Sequence, residues 1–163
     1  MSGRNPPAVQ RGSMPEEMSH RSVVGLADVV RTEAEGLAAA SETVRDQHLA
    51  ELLATWARER ELFLSRIGAA DEIPTTTGGR SGPEPPLSTR ARMLSRRVVG
   101  GDGRVLQSVR YLESRTAERI RQRIDGSLPG DVGSLAENLV QSIHQVVDDI
   151  TTRLGERVEP RSR

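Results

Sequence analysis

Residues 22–68 read SVVGLADVVRTEAEGLAAASETVRDQHLAELLATWARERELFLSRIG, and this stretch decides the fold. Val23, Leu26, Val30, Leu37, Ala40 and Val44 recur at steps of three and four, which draws one apolar stripe along an α-helix. Asp46 has the short acceptor side chain of an N-cap. A second stripe follows it through Leu49, Leu52, Trp56, Phe63 and Ile67, and ends at Gly68. Few residues separate the two periods, so the helices pair as an antiparallel hairpin.

Downstream, residues 69–87 (AADEIPTTTGGRSGPEPPL) form the longest internal connection, dense in Gly and Pro. Ser88 caps a short helix over roughly 88–98, which Gly100-Gly101-Asp102-Gly103 interrupts. Asp102 is placed to cap the next helix, whose stripe is Val105, Leu106, Val109, Leu112, Thr116, Ile120 and Ile124. Asp125-Gly126 and Pro129-Gly130 mark a turn. Ser134-Leu135-Ala136-Glu137 matches a capping box near the start of a final helix, with Leu135, Leu139, Ile143, Val146, Ile150 and Leu154 on its stripe. Nothing alternates with period two over a useful length, so no sheet is expected. The expectation is an all-α protein: a disordered arm (1–18), an antiparallel four-helix bundle (19–157) and a disordered tail (158–163). Two hairpins are joined by the linker 69–87 and a short extra helix.

Composition narrows the chemistry. The 163 residues include 23 Arg but no Lys, no Cys and three His, with Trp56, Phe63 and Tyr111 as the only aromatic side chains. Without Cys there is no disulfide, thiolate nucleophile or cysteine metal site. Without Lys there is no P-loop lysine and no Schiff base. The formal charge is zero, yet residues 90–123 hold ten Arg against three acids. The excess of acids lies on either side, so complementary helix faces are as natural a reading as an anionic partner. No apolar run approaches the ~18 residues of a membrane span, and the N-terminal residues lack a signal-like apolar core. A cytoplasmic protein with no membrane partner is the expectation.

Heptad extrapolation puts acids on the inner stripes. The first helix gives Glu33, the second Glu59, and the third carries Glu113 beside Leu112. A buried carboxylate needs compensation from a metal, an Arg or a solvent gap. The last helix offers Gln141-Ser142-Ile143-His144, with Gln141 and His144 sharing one edge. Dinuclear carboxylate centres in bundles draw a Glu from each of two helices and Glu-x-x-His from the other two. Here Leu62 stands where one His is wanted and Gln141 where one Glu is wanted. Glu33, Glu59, Glu113, His144 and Gln141 therefore form a depleted ligand set. For Glu113, Arg110 on the same face is a ready ion-pair partner. Ordinary salt-bridged or solvated acids outweigh the metal reading. His48 and His20 have no second His nearby and read as solvated.

These features resemble a bacterial ferritin-like four-helix-bundle family of unknown function, related to the rubrerythrin fold. The matching stretches are Thr32-Glu33-Ala34-Glu35-Gly36-Leu37, Trp56-Ala57-Arg58-Glu59-Arg60, Gly100-Gly101-Asp102 and Asp148-Asp149-Ile150, within residues 22–155. The resemblance implies a ferritin-like bundle and a stress-associated role. If a metal binds, it implies a di-iron site with oxygen activation as the reaction class. Asp148 stands where the family pattern has a His before the Asp, and Leu62 and Gln141 depart from the wider ligand pattern. The expected site is thus vestigial, with no cofactor favoured over iron, and the balance leans away from an enzyme.

Other chemistries fit less well. Gly101-x-Gly103 lacks its third glycine, since position 106 is Leu106, and no strand precedes it. Gly79-Arg80-Ser81-Gly82 is not a nucleophile elbow. The Arg-rich segment 90–123 is the feature that a nucleic-acid-binding reading would use. Its Arg residues spread over several faces and Tyr111 is its only aromatic, so no stacking platform exists and that partner is disfavoured. A third alternative is a non-catalytic module that self-associates as a homo-oligomer, for which Ala38, Ala39 and Ala40 permit close helix approach.

Overall fold

In a computed structural model, residues 14–70, 87–124 and 128–158 are described, and they form four helices with no strand among them. They are α1 (Met14–Thr43), α2 (Gln47–Ala70), α3 (Leu87–Ile124) and α4 (Gly130–Val158). Residues 1–13 of the expected arm, 71–86 of the linker, 159–163 of the tail and the Asp125-Gly126 turn lie outside the described residues. α1 begins at Met14, earlier than Ser19, and takes in the last residues of the expected arm.

The α1–α2 hairpin forms as its stripes require. Leu49 donates its backbone N–H to the Asp46 carboxylate at 3.0 Å, the N-cap that the sequence promises. The break in α3 falls at Gly100 and Gly101. Gly101 has φ +62° and ψ −161°, a backbone conformation open essentially only to glycine. Asp102 does something other than the expected capping of its own helix. Its carboxylate accepts the backbone N–H groups of Arg45, at 3.1 and 3.2 Å, and of Asp46, at 3.1 Å. Just before the break, Arg97 donates to the Thr43 carbonyl at 2.7 Å, satisfying an orphan acceptor at the end of α1. The kink of α3 is thereby fastened to the α1–α2 turn.

That fastening sets the topology. The long segment of α3 starts at the α1–α2 turn, so it runs antiparallel to α1 and parallel to α2. The chain must therefore travel the length of the bundle between Ala70 and Asp102, and the first segment of α3 makes part of that journey. α4 then runs antiparallel to the long segment of α3. It starts earlier than the Ser134 capping box suggests: Gly133 donates to the Pro129 carbonyl, and the Ser134 hydroxyl bonds back to Gly130 from inside the helix. Around the bundle, α1 packs on α2 and α3, α3 packs on α4, and the α2–α4 seam closes the ring more loosely.

The core has two apolar halves. One, at the α1–α2 turn, gathers Leu37, Ala40, Leu53, Trp56, Leu106 and Ile150. The other, at the far end, gathers Val23, Leu26, Phe63, Ile67, Ile120 and Ile143. Each fully buried aliphatic side chain contributes about 1.5–3 kcal/mol of hydrophobic stabilisation. Between the halves, α1, α2 and α3 present Glu33, Arg60 and Glu113, all fully buried. At this level the Leu112 side chain of α3 packs over Gly36, in the space a methyl group would take. Among the described residues, no helix is long and apolar enough to cross a membrane.

Candidate functional site

The four helices each send one polar side chain into the layer between the two apolar halves. Glu33 comes from α1, Arg60 from α2, Glu113 from α3 and Ser142 from α4. Arg60 is the hub. Its Nε donates to Glu33 Oε1 at 2.7 Å and its Nη2 to Glu113 Oε2 at 3.0 Å. Its Nη1 reaches the Ser142 hydroxyl at 3.4 Å and lies 3.9 Å from the Glu59 carboxylate. The planar fork of a guanidinium suits this task, because its donors diverge in one plane towards acceptors on different helices.

Charge alone leaves this cluster out of balance, with one cation between two buried carboxyl groups. Burial raises the Glu33 pKa above its ordinary value, against the opposing pull of Arg60. Glu113 is also raised, well above its ordinary value, through burial and then the charge of Glu33, with Arg60 again opposing. Burial disfavours the charged form of Arg60, yet the two carboxyl groups outweigh it and keep the guanidinium firmly protonated. The two carboxyl groups lie within hydrogen-bonding reach of one another. Glu33 Oε2 and Glu113 Oε1 are buried and accept no hydrogen bond from the described residues. One proton held on this pair of carboxyl groups makes the cluster neutral, and the raised pKa of both groups favours holding it.

The residues expected from sequence to ligate a metal are divided among three places. Glu33 and Glu113 are inside, as their stripes require, but one oxygen of each is bound to Arg60. Glu59 corrects the second stripe: its side chain is 51% exposed and faces a groove between α2 and α4, beside Trp56, Ser142 and Asp149. His144 and Gln141 line a separate depression with Arg121 and Glu137, on the outer α3–α4 side. Leu62, where a metal-binding pattern would carry His, is 54% exposed. Among the described residues, no group of three or more His, Cys, Asp or Glu is placed to hold a metal ion. The donors at the centre do not fit a dinuclear site, which needs several anionic oxygens and imidazoles converging on two cations. The cation that the two glutamates share here is the guanidinium.

Arg60 and Ser142 are the members of the cluster that the stripes did not nominate. The signal for Arg60 is nevertheless present. Leu49, Leu53, Trp56, Arg60, Phe63 and Ile67 follow steps of four and three, and all six are buried positions of α2, with Ala57 beside them. No protein-family model, curated protein or solved structure matches the chain.

Proposed function

We propose that the protein is a non-catalytic bundle of the ferritin-like kind, whose mid-bundle ligand position is filled by its own arginine. The single long crossover between two hairpins supports the ferritin-like reading. So does the height at which glutamates from α1 and α3 meet. The observation that carries the proposal is the Glu33–Arg60–Glu113 bridge, in which a fixed internal cation takes the place of an exchangeable one. A closed, neutral polar layer offers no open coordination position and no acid or base exposed to a substrate. What such a core supplies is a rigid, uniquely registered scaffold, since a misregistered helix would leave a buried charge unpaired. Function then rests on the outer faces of the helices.

The test is anaerobic titration with Fe(II) and Mn(II), followed by desalting and elemental analysis. The expected result is less than one metal per chain in the wild type, and the same for Glu59→Ala. Two metals retained per chain, and lost in Glu33→Ala or Glu113→Ala, would overturn the proposal.

A further inference from the structure

The first segment of α3, residues 87–99, turns back over the seam between α1 and the long segment of α3. A cleft of about 400 Å³ lies beneath it. That volume is within the range of small-molecule sites, roughly 300–1,000 Å³. Four arginines stand around it: Arg92 on the returning segment, and Arg104, Arg115 and Arg119 on the long segment. No Asp or Glu is among the residues lining the cleft. Arg115 makes a 3.5 Å contact with exposed Glu118, and Arg119 has no acidic partner among the described residues. The +7 imbalance of residues 90–123 is thus partly gathered around one concavity instead of being spread over a solvated face.

The interior of the cleft differs from its rim. Met93, Leu112 and Val29 provide apolar walls, and Met93 is almost fully buried. Tyr111 stands beside them with 68% of its surface exposed, an aromatic face that nothing in the core requires. Thr116 lines the cleft while only 4% exposed, and no described residue engages its hydroxyl. A fixed polar group, an apolar wall, a free aromatic face and a cationic rim are together the parts of a ligand site. Arg side chains would take an anionic head through charge-assisted hydrogen bonds. Tyr111 and Met93 would take a flat apolar body.

We infer that the cleft between the returning segment of α3 and the α1–α3 seam binds a small aromatic anion, a phosphate or carboxylate carried on a ring. The site is independent of the central cluster, because none of the cleft-lining residues belongs to it.

The test is isothermal titration of the full chain with phenyl phosphate, using inorganic phosphate and phenol as the two halves of the probe. Phenyl phosphate is expected to saturate at one per chain, and each half to bind at least tenfold more weakly. The double variant Arg115→Gln/Arg119→Gln is expected to weaken phenyl phosphate at least tenfold while keeping wild-type helical circular dichroism and Tm. Tyr111→Ala is expected to weaken it several-fold and to leave inorganic phosphate unchanged. Four results would overturn the inference. These are no saturation, affinity unchanged in the double variant, inorganic phosphate binding as tightly as the aryl ester, or saturation only after removal of residues 1–13. The third would describe a cationic surface without a pocket, and the fourth a cleft already filled by the chain's own N-terminal residues.

Discussion

Replacing Arg60 by methionine is expected to lower the free energy of unfolding by about 3–5 kcal/mol at neutral pH, measured by urea denaturation. Methionine keeps most of the buried aliphatic volume, so the loss comes from charge. Two buried carboxyl groups would face each other without the guanidinium that both contact. In a chain of this length the loss corresponds to a drop in Tm on the order of 10 °C. The triple variant Glu33→Leu/Arg60→Met/Glu113→Leu is expected to recover wild-type stability or exceed it, because it removes all the buried charge together and adds apolar contacts across the layer. The contrast between the single and triple variants separates an ion cluster from ordinary packing. A single variant that costs less than about 1 kcal/mol would mean that the guanidinium is solvated.

The second large effect concerns pH. Glu113 has its folded pKa raised well above 4.5, so the folded state holds a proton that the unfolded chain gives up. The sign follows from linkage. The stabilisation associated with that proton is fully present below the unfolded pKa near 4.5 and is lost as pH rises through the folded value. Between these limits the contribution falls by up to about 1.4 kcal/mol per pH unit. Glu33 is raised in the same direction and titrates together with Glu113. Glu113→Gln keeps a carbonyl for Arg60 and a donor for Glu33 but carries no proton to lose. Its stability relative to wild type is therefore expected to increase as pH rises from the unfolded value near 4.5 towards the folded value. Denaturation profiles of the two proteins that stay parallel across this range would contradict the shared proton.

Much of the architecture can be read from the stripes alone. The first helix was legible almost residue by residue, because Val23, Leu26, Val30, Leu37 and Val44 leave a single phase that also carries Glu33 inward. The Gly-Gly break was equally legible, since Gly101 needs a positive φ. The second helix was ambiguous for a physical reason. Leu52 and Leu53 are adjacent, and a heptad can step onto either one. Stepping onto Leu52 leads to Glu59, whereas stepping onto Leu53 leads to Arg60. An arginine is seldom fully buried, so composition favours the wrong branch. Only the meeting of Glu33 and Glu113 from other helices makes the buried arginine the lower-energy answer. The role of Asp102 was hidden for a related reason. A local N-cap and a bond to a turn more than fifty residues away use the same acceptor, and sequence spacing displays only the local choice. The Arg-rich segment was visible as a charge excess, while its arrangement around a cleft depends on how the chain returns at Gly100 and Gly101.

The most direct measurement of the central cluster is the ¹⁵N–¹H spectrum of the arginine Nε–H groups at neutral pH and 25 °C. Of the 23 arginines, Arg60 is expected to give a slowly exchanging Nε–H resonance, displaced from the solvated envelope and lost in Arg60→Met. Its hydrogen bond to Glu33 and its full burial both hold water away from that proton. An Arg60 Nε–H that exchanges as fast as the surface arginines would contradict a bundle closed at its centre by its own cation.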